Sequence, residues 1–82
     1  MDQHTIKKNR YMSSILTISK GVPGILVPLV EIVKAYTMEQ LDELFAKIYQ
    51  LNLTGSELYL VYKDECGKDS AEFVRHMMEM TQ

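Results

Sequence analysis

The chain has 82 residues, 46% of them hydrophobic and 24% charged. That length and composition fit one globular domain, not two, and argue against a disordered chain. The net charge is −2, but it is unevenly placed: residues 1–36 carry five basic residues against two acidic ones, a balance of +3, and residues 37–82 carry four against nine, a balance of −5.

Residues 5–20 read as a first helix. Ile6, Tyr11, Met12, Ile15, Leu16 and Ser19 roughly follow a helical stripe, with Lys7, Lys8 and Arg10 off it. Asp2 or Thr5 is the candidate cap. Gly21 suits a left-handed helix end and Pro23 stops continuation, so Gly21-Val22-Pro23-Gly24 reads as a turn. It is not a phosphate-binding loop, because the G-x-x-x-x-G-K-[ST] spacing is missing.

Residues 25–36 read as a second helix, with Pro28 tolerable in its first turn. Ile25, Leu26, Val27, Leu29, Val30, Ile32 and Val33 leave it almost no polar face. Such a helix sits centrally or faces another chain. Residues 38–51 form the clearest helix: Thr37-x-x-Gln40 is a capping box, and Met38, Leu41, Leu44, Phe45, Ile48, Tyr49 and Leu51 make its apolar stripe. Glu43 and Lys47 form an i,i+4 pair on the opposite side.

Residues 52–55 are a turn. Residues 56–66 suit a helix, with Ser56 as N-cap, Gly67 past the end, and Leu58, Val61, Tyr62 and Cys66 on one stripe. The aromatics and Val61 also suit a strand near residues 57–64, but no other segment offers it a partner. Residues 70–80 read as a last helix, opened by a capping-box-like Asp69-x-x-Glu72 and faced by Phe73, Val74, Met77, Met78 and Met80. The expected fold is an all-α bundle of about five short helices in a single domain spanning residues 1–82. Its core is drawn from Ile15, Leu16, Leu29, Val30, Val33, Leu41, Leu44, Phe45, Ile48, Leu58, Val61, Tyr62, Phe73, Val74 and Met77.

One cysteine, Cys66, excludes an internal disulfide, and a small domain without one points to a reducing compartment. No apolar run reaches the roughly 20 residues of a membrane span, and no signal peptide is recognisable. The expectation is a cytoplasmic protein.

Three segments taken together resemble short uncharacterised proteins from prophages of Gram-positive bacteria. They are Lys20-Gly21-Val22-Pro23-Gly24, Leu53-Thr54-Gly55-Ser56-x-Leu58-Tyr59 and Tyr62-Lys63-Asp64-x-Cys66-Gly67-x-Asp69. The resemblance covers most of the chain. It implies a helical fold and a phage or prophage origin, and assigns no activity to any residue.

No set of residues meets the requirements of catalysis. Cys66 falls in the last turn of its helix, where the negative end of the dipole raises a thiol pKa, and it reads as a packed, inert side chain. Glu72, His76 and Glu79 share a helix face, but their spacing matches no metal motif, and they read as a surface ion-pair set with Arg75. The carboxylate pairs Asp42/Glu43 and Asp64/Glu65 point about 100° apart and converge on no atom. Four of the five tyrosines lie among apolar neighbours, which favours packing over stacking on bases. A chain this short buries only roughly 60–65% of its unfolded surface, so an enclosed pocket would compete with its core. No catalytic residue, metal, cofactor or small-molecule substrate is expected.

The leading expectation is a non-enzymatic protein-interaction module, a phage accessory or regulatory protein acting by self-association or by binding a host or phage protein. Its candidate surface is Ile25, Leu26, Val27 and Ile32. The second is a helix–turn–helix-like DNA-binding regulator on residues 38–66, with Lys7, Lys8 and Arg10 as candidate phosphate contacts. Against it stand Glu57, Asp64 and Glu65 on the would-be recognition helix, which should carry Arg, Lys, Asn or Gln. The third is an acidic nucleic-acid mimic that inhibits a host nuclease or polymerase.

Overall fold

The computed structural model describes residues 3–80, with side chains from Ile6 onward. Five α-helices follow one another: α1 (Gln3–Ser19), α2 (Pro23–Ala35), α3 (Met38–Leu51), α4 (Gly55–Cys66) and α5 (Ser70–Met80). Among the described residues there is no strand, and the segment at 57–64 lies wholly inside α4.

Each helix end has a local cause. α1 starts at Gln3, so Thr5 lies within its first turn, and Asp2 falls outside the described residues. At its far end Lys20 and Gly21 take positive φ values of 51° and 76°. The chain then turns at once into α2, because Pro23 starts that helix instead of stopping the one before. Pro has no N–H to leave unpaired at a first helical position, and its fixed φ is already helical. The turn is therefore shorter than the Gly-Val-Pro-Gly pattern suggests, and Gly24 belongs to the helix. Pro28 accordingly stands in the second turn, where it offers no N–H to the carbonyl of Gly24.

At α3 the capping box forms as expected. The Gln40 N–H donates to Thr37 Oγ1 at 3.2 Å and the Thr37 N–H to Gln40 Oε1 at 3.0 Å. Asn52, with φ of 56°, ends the helix in the left-handed region. For α4 the N-cap is Thr54, without a side-chain hydrogen bond, so Ser56 is not the cap. Gly67 closes α4 at φ 59°. The Tyr62 hydroxyl donates to the carbonyl of Lys68, and Asp69 Oδ1 accepts from the Ala71 N–H at 2.9 Å. Asp69 thus caps α5 while Glu72 turns to Arg75.

α2 lies against α1, α4 and α5, and α5 lies against α2, α3 and α4. α3 packs on α5 and more lightly on α1; although only three residues separate it from α4, those two helices are not a close pair. One continuous core results. It holds Ile15 and Ile18 of α1, Ile25, Leu29, Ile32 and Val33 of α2, Met38, Leu41, Leu44, Phe45 and Ile48 of α3, Leu58, Tyr62 and Cys66 of α4, and Phe73, Val74 and Met77 of α5. Each large side chain so enclosed contributes about 1.5–3 kcal/mol relative to exposure. Leu16 is no part of the core: it is 60% exposed, because α1 turns Ile15, Ile18 and Ser19 inward and Leu16 stands about 100° round the helix from Ile15. Val30 and Val61 are half-buried.

Candidate functional site

The apolar run of α2 divides between inside and outside. Ile25 and Ile32 are enclosed, at 0% and 1% exposure, and form no surface. They fall with Leu29 and Val33 on the side covered by α1, α4 and α5, so the all-apolar helix is explained first by its central position. Leu26 is half-buried, and only Val27 of the four candidate contact residues is well exposed, at 58%. Five other large side chains among the described residues are exposed to a similar or smaller extent: Leu16, Tyr49 at 57%, Leu60 at 50%, Met80 at 42% and Ile6 at 41%.

The basic cluster divides too. Lys8 swings to the end of α2, where its Nζ donates to the carbonyl of Lys34 at 3.1 Å. That carbonyl lies in the last turn of α2, where backbone acceptors lack helical partners and a cation is favoured. Lys7 and Arg10 instead line an open cleft of about 230 Å³ between α1 and α3, with Tyr11, Ser14 and Asp42. Their spacing along α1 puts Lys7, Arg10 and Ser14 on one flank.

Tyr11 ties that cleft to the core. Its ring stacks on Phe45 with centroids 4.6 Å apart and 28° between planes, and its hydroxyl donates to Asp42 Oδ1. Burial, then the hydrogen bond and charge of Asp42, push its pKa up to about 12.

On the other side of α3 a second open cleft, of about 350 Å³, runs between α3 and α5. Val74, Met78 and Tyr36 supply its apolar lining, and Gln40, Glu43 and Glu79 its polar edge. Arg75 also lines it, held by Glu72 and not by Glu79 as the helix spacing suggests. The α3–α5 cleft escapes a reading of the sequence, because Glu43 and Glu79 stand 36 positions apart and no motif links them. The signal available was the edge of the apolar face of α5, where half-buried Met78 follows buried Val74 by one turn.

Other chemistry-bearing groups are dispersed. Cys66 is buried, and burial, followed by the charges of Glu65, Glu72 and Asp69, raises its thiol pKa, which suppresses the thiolate. Among the described residues no three of His, Cys, Asp and Glu are placed to hold a metal ion. No helix among them is long and apolar enough to cross a membrane. Comparison of the chain with known protein families, with curated proteins and with solved structures yields no match.

Proposed function

We propose that the protein is a non-enzymatic protein-interaction module, working in the cytoplasm as an accessory or regulatory factor of phage type. The observation that carries this reading is the set of large apolar side chains left outside a filled core: Leu16, Val27, Tyr49 and Leu60 are each half exposed or more. They stand one on each of α1 to α4, outside the seventeen enclosed side chains, and contact with a partner would cover them. Cys66, buried and held as a thiol, offers no nucleophile. The resemblance of its segments to prophage proteins supports the phage context.

Light scattering across protein concentration, paired with affinity capture from a host lysate, tests the reading. Association with itself or with one defined protein is the expected result. A strict monomer that retains nothing would overturn it. The DNA-binding alternative rests on Lys7 and Arg10 sharing a cleft with Ser14. It requires a salt-sensitive gel shift that is lost in Lys7→Ala/Arg10→Ala.

A further inference from the structure

We propose that copies of this protein associate head to tail, the exposed stripe of α4 on one copy docking on the outer α1–α2 face of the next. This names the partner of the interaction module and rests on that reading. The contact takes in Leu16, Val27 and Leu60, and leaves Tyr49 of α3 outside it.

The α1–α2 face follows from a four-residue repeat. Lys8, Met12 and Leu16 recur one turn apart on the flank of α1 that meets α2, and Leu26, Val30 and Lys34 do so on the facing flank of α2. The bond from Lys8 Nζ to the Lys34 carbonyl ties one end of the two rows, and the joint at 20–22 ties the other, so the rows run antiparallel. Met12 therefore comes opposite Val30, and Leu16 opposite Leu26. Met12, Leu26 and Val30 are half-buried, while Leu16 and Val27 stand out beside them. Lys34 closes the face at one end, and Lys20, its stem beside Gly55, closes it at the other. The one acidic residue of the two helices, Glu31, turns aside to α5, where it accepts from Ser70 Oγ at 3.4 Å.

α4 carries the complement. Glu57, Leu60 and Asp64 are spaced three and four apart on its exposed side, so one protruding apolar side chain stands between two carboxylates. Among the described residues neither carboxylate meets a cation of its own chain, and neither the Lys20 nor the Lys34 ammonium meets a carboxylate. This complementarity selects a second copy as the occupant: Leu60 enters beside Leu16 and Val27, and Glu57 and Asp64 approach the basic ends. One copy cannot satisfy itself. Val27 and Leu60 each stand two residues, about 200° round the helix, from the buried Ile25 and Leu58, so both point away from the shared core. Contact between two unlike surfaces that point apart joins copies into a chain or a ring.

Sedimentation equilibrium on the full chain tests this with two variants. Leu16→Glu/Val27→Glu spoils the α1–α2 face, and Leu60→Gln spoils the α4 stripe. All three positions are exposed, and circular dichroism checks that both variants keep their helix content. The wild type is expected to give masses above the monomer that grow with concentration and shrink at high salt. Each variant alone should raise the dissociation constant about tenfold or more, because a polar group then enters an apolar contact unpaired. Mixed, the two should form a complex of one of each and nothing larger, since each keeps the surface the other lacks. Neither misfolding nor general stickiness produces that result. A wild type that stops at a dimer, association indifferent to either variant, or a mixture that stays monomeric would each overturn the proposal. A wild-type monomer that captures another protein would overturn self-association and leave the interaction module standing, whereas a monomer that captures nothing would remove both.

Discussion

Tyr11 holds α1 to α3 by two means at once, the stacked contact with Phe45 and the hydroxyl given to Asp42. Its pKa, about 12 in the fold against 10.0 for the free side chain, ties this contact to pH. A group whose folded pKa is raised stabilises the fold fully below its unfolded value and loses that contribution as pH climbs through the folded one. Thermal melts of wild type and Tyr11→Phe should therefore run parallel below pH 10.0 and converge between there and about pH 12. Profiles that stay parallel throughout would show that the phenol is not coupled to folding. Tyr62, also raised by burial, is common to both proteins and cancels in the difference. At this scale the sequence is ambiguous wherever apolar residues adjoin. Ile15, Leu16 and Ile18 are alike in chemistry, and which of them faces inward depends on how α2 lies against α1. Hence Leu16 was expected inside and Ile18 was not, and in α3, where Met38, Leu41, Leu44, Phe45 and Ile48 lie inside as expected, Tyr49 adjoining Ile48 was placed on the same stripe and stands exposed.

Between α2 and α4 the close fit is made by a glycine. A Cβ on Gly24 would fall within the ring of Tyr59. Alanine is the better helix former by about 1 kcal/mol, yet Gly24→Ala should destabilise the protein by about 1–3 kcal/mol, the usual cost of overpacking. In a Tyr59→Ala background the same change should become neutral or stabilising. Urea titration of the four proteins measures the coupling, and purely additive effects would mean that α2 and α4 do not meet as described. The start of α2 also shows why helix boundaries were only partly legible. Thr37 with Gln40, and Gly67 past α4, carry side-chain or backbone chemistry that belongs to one role. Pro-Gly serves equally as a turn and as the opening of a helix, and here the packing of Tyr59 over Gly24 settles which. Both clefts lay beyond reach for a related reason: each is lined from two helices far apart in the chain, and periodicity describes one helix at a time.

Across the whole molecule, the number and type of elements follow from local pattern, but their neighbours do not. Two successive helices joined by a short turn suggest a hairpin, yet α3 turns from α4 to α5, because its apolar stripe finds Val74 and the rest of the core there. The joints that allow this are two or three residues long, at 20–22, 36–37, 52–54 and 67–69. A protease must draw an extended length of chain into its cleft, and such brief connections have none to give. Lys20 and Lys68, both exposed and both in joints, should therefore resist trypsin until the fold opens, so that cutting there proceeds at a pace set by the unfolded fraction. Digestion followed by mass spectrometry checks this: added urea should speed both cuts together, and prompt cleavage at either lysine in native buffer would reveal a joint that breathes on its own.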